Sequence, residues 1–178
     1  MNGTNFVLGD QGQISVSGAV VTLTSAVGSA TDADLIDIDA GTNAVIAGSG
    51  ADAITVNGGT NTIAGDDASG TFSTSGALAQ ITSSALSNSA ADTIILRSGT
   101  NYAIAGDGAD DINLVNGTNF VLGDQGTISV SGAVVTLTSA VGSASDTDLI
   151  DIDAGTNAVR RLGCRCHYGE WWYEHDCR

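Results

Sequence analysis

A period of nine residues governs most of this chain and limits what it can fold into. Gly41, Gly50 and Gly59 are nine apart, as are Asn43, Asp52 and Asn61, and Val45, Ile54 and Ile63. A second run carries Ala90, Gly99, Gly108 and Gly117, then Asp92, Asn101, Asp110 and Asn119, then Ile94, Ala103, Ile112 and Val121. The unit G-x-(N/D)-x-(V/I) does not match a helix, whose faces recur about every 3.6 residues; it suits a short strand and a turn. Glycine supplies the backbone angles of the turn, and the Val or Ile points into a core.

Two units make a coil with a turn at each edge, and the third position of the unit then sorts by edge. Asp34, Asp52, Asp92, Asp110 and Asp148 fall in one alternate set; Asn43, Asn61, Asn101, Asn119 and Asn157 fall in the other. The spacing predicts an all-β parallel β-solenoid, a β-roll or β-helix of nine-residue half-turns, over residues 1–159. One edge would carry carboxylates and the opposite edge amides. The amides are expected to form a hydrogen-bonded ladder without metal. Without a cation, the carboxylates would be a solvated acidic rim.

Two kinds of stretch break the rhythm. Residues 9–34 and 123–148 alternate Ile14 and Val16, then Val21 and Leu23, around an S-G-A turn. They read as hairpin-like insertions or wider coils. Residues 66–92 are rich in Ser and Ala, and a short helix is expected near Ala77–Leu86. On a larger scale, residues 2–43 and 116–157 are the same 42-residue segment, differing only at Gln13/Thr127, Thr31/Ser145 and Ala33/Thr147.

Charge narrows the partners. Residues 1–159 hold 17 Asp, no Glu, no Lys and one Arg, Arg97, for a net charge of −16. Such a surface excludes nucleic acid, because phosphate binding needs Lys or Arg to displace counterions. It equally disfavours anionic lipid, and no apolar run approaches the roughly 20 residues needed to span a bilayer. Cations are the expected partners, and Asp suits tight turns and compact oxygen cages. The opening MNGTNFVLGD has neither the basic region nor the apolar core of a signal peptide.

"AGSGADAIT" (47–55) and "AGDGADDIN" (105–113) resemble the nonapeptide G-G-x-G-x-D-x-U-x of RTX, or hemolysin-type, calcium-binding repeats, lacking only the first glycine. The resemblance implies a parallel β-roll with calcium between successive turns. It implies ligation by Asp52 and Asp110, with backbone oxygens near Gly48, Gly50, Gly106 and Gly108. Asp34, Asp92 and Asp148 occupy the same slot in turns without the full glycine pattern. It further implies a secreted or cell-surface, adhesin-like parent.

Two other functions are weighed. Thr4, Thr42, Thr60, Thr100, Thr118 and Thr156 recur in G-T-N triplets and could present an array to ice or a glycan. The carboxylate pairs Asp37/Asp39, Asp66/Asp67 and Asp110/Asp111 could do the acid–base work of a polysaccharide-acting β-helix enzyme. Sugar-cleaving sites need aromatic or basic side chains, and the body offers only Tyr102, three Phe and Arg97. The chain is therefore expected not to be an enzyme.

The tail, residues 160–178, is expected to be unstructured. It holds every Cys, His, Trp and Glu of the chain, and Cys164, Cys166, His167, His175 and Cys177 look at first like zinc ligands. Read one nucleotide later in the standard code, however, all eighteen complete codons are compatible with Ala47 through Ala64, the continuation that the duplication predicts. Met1 aligns with Val115, as a GTG start codon would produce. The chain reads as a fragment of a longer repeat protein, its neighbours being further repeats, with an out-of-frame end.

Overall fold

The computed structural model describes residues 3–29, 31–84, 90–140 and 147–160. These residues form an all-β fold of seventeen strands with no helix, arranged in two parallel sheets and one antiparallel sheet.

The first parallel sheet has six neighbouring strands: β1 (Thr4–Leu8), β5 (Thr42–Ile46), β7 (Thr60–Ala64), β11 (Thr100–Ile104), β13 (Thr118–Leu122) and β17 (Thr156–Arg160). The second has five: β4 (Leu35–Ile38), β6 (Ala53–Val56), β10 (Thr93–Leu96), β12 (Asp111–Leu114) and β16 (Leu149–Ile152). In chain order the strands alternate between these two sheets. Partners in the first sheet are 18 residues apart where the connection is short, as for Thr42 with Thr60 and Thr100 with Thr118. They are 38 or 40 apart where an insertion intervenes, as for Thr4 with Thr42 and Thr60 with Thr100. Every pairing nevertheless sets Thr against Thr and Asn against Asn.

The insertions are hairpins: β2 (Gly12–Ser17) with β3 (Val20–Ser25), β8 (Ala68–Ser73) with β9 (Leu78–Ser83), and β14 (Gly126–Ser131) with β15 (Val134–Ser139). They join edge to edge into one antiparallel sheet in the order β2-β3-β8-β9-β14-β15. Ile14 pairs with Leu23 and Val16 with Val21, the alternation read from the sequence. Gly18, at φ +61°, opens the two-residue loop, as a primed hairpin turn requires. The helix expected near Ala77–Leu86 is instead strand β9 over Leu78–Ser83; the last residues of that stretch lie outside the described ones. Strand pairing on both sides, with β8 and β14, outweighs the helix propensity of an Ala-rich segment.

The spacing of the hairpins has a geometric reason. Neighbouring strands lie about 4.8 Å apart, so two coils advance by as much as one two-stranded hairpin is wide. An insertion at every second crossing therefore builds a continuous third sheet in step with the other two.

Two cores result. Val45, Ile63, Ala103 and Val121 of the first sheet face Ile54, Ile94 and Ile112 of the second. Ala44, Ile46, Ile104 and Leu122, on the opposite face of the same strands, pack under Leu23, Phe72, Ile81 and Ile128 of the hairpins. Burying each large aliphatic side chain contributes about 1.5–3 kcal/mol. Strand β17 takes in Arg160, and the rest of the tail, with its Cys and His residues, lies outside the described residues.

Candidate functional site

The two edges differ in chemistry. On the amide edge the Asn side chains form an unbroken relay. The Nδ2 of Asn5 donates to Asn43 Oδ1 (2.7 Å), Asn43 to Asn61 (2.8 Å), Asn61 to Asn101 (2.9 Å), Asn101 to Asn119 (2.7 Å) and Asn119 to Asn157 (2.7 Å). The second amide hydrogen closes the local turn, from Asn61 to the Gly58 carbonyl and from Asn157 to that of Ala154. Each linked Oδ1 accepts one bond, so the amides form the hydrogen-bonded ladder expected of this edge.

Asp has no hydrogen to pass on, so the carboxylate edge closes differently. The backbone N–H of Asp34 donates to Asp52 Oδ1 (2.7 Å), that of Asp52 to Asp92 (2.8 Å), that of Asp92 to Asp110 (2.8 Å) and that of Asp110 to Asp148 (3.2 Å). Asp52, Asp92, Asp110 and Asp148 are buried, and Asp34 is half-buried. The solvated rim is thus corrected: these side chains pack inward against turn backbone, Asp92 against Gly65 and Asp148 against Gly123, and leave water. Oδ2 of Asp52 and of Asp92 is buried without a hydrogen-bond partner. Burying a charge without compensation is costly, so the neutral form gains.

A second acidic row runs beside the first; the sequence offered its Asp66 only as half of a carboxylate pair with Asp67. Register places Asp10, Gly48, Asp66, Gly106 and Asp124 in one column, two residues beyond paired Leu8, Ile46, Ala64, Ile104 and Leu122. Asp10 Oδ2 accepts the Ser49 N–H (2.7 Å), and Asp66 Oδ2 accepts the Asp107 N–H (2.6 Å). The Ser49 hydroxyl donates to Asp67 Oδ2 (2.9 Å), while Asp67 Oδ1 is buried without a partner. Gly48 and Gly106, at φ +115° and +121°, are where a Cβ would strike the Asp10 and Asp66 side chains. The alternation of Gly and Asp in the "GD" and "AG" turns was the available signal.

Burial is the first cause of every resolved shift here. It pushes the Asp92 carboxyl up to about 8, against the Asp52 N–H that lowers it and with Asp110 and Asp52 raising it further. Asp66 is pushed up to about 9, with Asp92 the next contributor, and Asp52 to about 6. Asp10 is raised as well. The only basic side chains in residues 1–160 are Arg97 and Arg160.

The predicted glycines lie at this edge. A Cβ at Gly50 would strike the Asp32 carbonyl oxygen, and one at Gly108 the Ala90 carbonyl oxygen (2.5 Å). A Cβ at Gly65 would strike Asp92 Oδ2. Carboxylates and turn carbonyls therefore crowd together, an all-oxygen donor set of the kind hard cations prefer. Among the described residues no three His, Cys, Asp or Glu side chains converge as a ready ligand set, so an ion here would draw on those carbonyls.

The other candidates separate. Asp37 is exposed and accepts from Asn57 Nδ2, Asp66 and Asp67 are both buried, and Asp110 is buried while Asp111 is exposed. The G-T-N threonines project from the opposite face of their strands to the Asn residues, toward the hairpin sheet, where the Thr4 and Thr42 methyls flank the Cβ position of Gly76. The more open hydroxyl array is the outer face of the hairpin sheet itself. Gln13, Thr24, Ser69, Thr82, Thr127 and Thr138 pair across all six strands, and Ser15, Thr22, Thr71, Gln80, Ser129 and Thr136 form a parallel row.

No family model, no curated protein and no solved structure matches this chain.

Proposed function

We propose that the chain is a structural, calcium-binding segment of RTX-like repeats, coiled as a parallel β-solenoid, from a secreted or cell-surface adhesin-like protein. The observation that carries this reading is the pair of buried, unpartnered oxygens, Asp52 Oδ2 and Asp92 Oδ2, in a segment almost without basic side chains. Asp34, Asp52, Asp92, Asp110 and Asp148, with carbonyls around Gly48, Gly50, Gly106 and Gly108, would hold the ion. Bound calcium supplies the positive charge that lets these carboxyls ionise inside the fold. Asp52, Asp92, Asp110 and Asp148 meanwhile keep the Oδ1 bonds they accept from the backbone of the preceding turn, so metal binding and stacking share one column of side chains.

Titrating the metal-free protein with calcium at pH 8 tests this by calorimetry and thermal melting. Saturable heat and a raised Tm are expected, both largely lost in Asp92→Asn. An unchanged Tm at millimolar calcium would sink the reading.

A second reading is supported by the two six-residue rows on the hairpin sheet, five hydroxyls and one Gln in each: a regular polar surface for a repetitive ligand such as ice or a glycan. Thr22→Tyr with Thr71→Tyr would abolish binding to such a surface while leaving the melting curve in place.

A further inference from the structure

The two ends of the molecule are stepped in complementary ways. β3 lies against β1, β9 against β7, β14 against β11 and β15 against β13. By this spacing β2 projects one strand beyond β1 at one end, and β17 projects one strand beyond β15 at the other. On β2, Ile14 and Val16 share the inward face with their cross-strand partners Leu23 and Val21, which are buried. Yet Ile14 is 45% exposed and Val16 65% exposed. On β17, Ala158 is exposed where its duplicate Ala44 is buried.

The molecule itself contains the covered form of this overhang. Ile128, the duplicate of Ile14, is fully buried, because β14 pairs with β9 and lies against β11. The same hairpin sequence therefore seats on a preceding coil whenever one is present. The receiving strand need not be a particular one, since all five pairings of the first sheet use the same Thr-to-Thr, Asn-to-Asn register.

We propose that the chain associates head to tail with a second copy of itself, the β2 overhang of one molecule seating on β17 of the other. β1 of the first then extends the parallel sheet from β17, and β2 extends the antiparallel sheet from β15. Asn157, which gives one amide hydrogen to Ala154, passes the other to Asn5 Oδ1 of the second copy and continues the relay. Among the described residues the second parallel sheet has one strand fewer than the first, so the described strands β16 and β4 do not pair across the junction. The contact is heterologous, so it does not close, and growth is open-ended. Unprotected β edges with inward apolar side chains are the usual template for such growth.

The test uses two single-ended variants of the full chain, followed by sedimentation velocity across a concentration series in one buffer. Ile14→Lys with Val16→Lys blocks the overhang, and Ala158→Lys blocks the seat. The parent chain is expected to gain mass steadily with concentration. Each variant alone is expected to remain a monomer, and an equimolar mixture to stop at a dimer, since only one intact junction can form. Overlapping melting curves at low concentration separate lost docking from lost folding. A parent chain that stays monomeric at high concentration overturns the proposal whatever the variants do. So does a variant that dimerises alone, the mark of a symmetric end-to-end contact, or a mixture that stays monomeric.

Discussion

Residues 2–43 and 116–157 are the same segment with three substitutions, and they are buried in opposite halves. In the later copy Ile128 on the first hairpin strand and Leu122 at the end of the preceding β13 are buried, while Val135 and Leu137 on the second hairpin strand are half-buried. In the earlier copy Val21 and Leu23 on the second strand are buried, while Ile14 is exposed and Leu8 is half-buried. The difference lies in the neighbours: the later copy has a coil before it, and the earlier has one after it. Burial here belongs to the stack more than to the segment, as expected where each repeat contacts only the adjacent ones.

The largest effect should come from truncating the same residue in the two copies. Ile128→Ala removes a fully buried side chain and should cost about 2–5 kcal/mol in urea unfolding. Ile14→Ala, measured at low protein concentration, should cost less than about 1 kcal/mol. Equal costs would mean that the first hairpin is covered in the monomer, and the comparison would fail.

The nine-residue frame made much of this legible in the sequence, because a turn glycine, a polar corner and an apolar residue recur together, as in Gly99, Asn101 and Ala103. The edges sorted for the same reason, and Ile14, Val16, Val21 and Leu23 showed their hairpin by alternation. The stretch around Leu78–Ser83 did not, because its Ala and Ser content suits several structures and its strand character comes from β8 and β14. The S-G-A triplet at 75–77, shared with 17–19 and 131–133, was the local sign of a third hairpin. Asp10 was missed, and Asp66 and Asp67 were read only as a candidate acid–base pair, because their partners, Ser49 and Asp107, are about 20 to 40 residues away and meet them only through stacking.

The acidic edge sharpens the comparison next. Asp92 lies mid-stack and buried, while Asp34, at the exposed end, is half-buried. Calcium at about one hundred times its Kd should stabilise the chain by about 2.7 kcal/mol per site. Asp92→Asn should remove most of that gain and Asp34→Asn little. Without metal, the raised carboxyls fix the sign of the pH dependence. The folded-state values of about 6, 8 and 9 for Asp52, Asp92 and Asp66 lie above the ordinary value of 3.8. Their contribution is complete below about pH 4 and is lost as pH rises through 6 to 9. Metal-free melting should therefore fall from pH 5 to pH 9, and calcium should restore it most at the alkaline end. A flat metal-free profile would show these carboxyls to be ionised and solvated.

The amide relay predicts a smaller contrast. Asn119 receives from Asn101 and donates to Asn157, so Asn119→Ala leaves two buried partners unsatisfied and should cost about 1–3 kcal/mol. Asn5 is half-buried and linked on one side only, so Asn5→Ala should cost about 1 kcal/mol or less. Similar costs would indicate that the relay energy is local to each turn.

The smallest effect is one for which the two copies should not differ. Gly18 and Gly132 both sit at φ +61° at a hairpin tip, with nothing within 4 Å of where a Cβ would stand. Alanine at either position meets no neighbour, so the cost is the left-handed backbone alone, about 1 kcal/mol. Gly18→Ala and Gly132→Ala should therefore agree within about 0.5 kcal/mol, although the hairpins that carry them differ widely in burial. Agreement would place the asymmetry between the copies in the stacked body of the hairpins. A larger cost at Gly132 would show that neighbouring coils constrain the fold out to the turns.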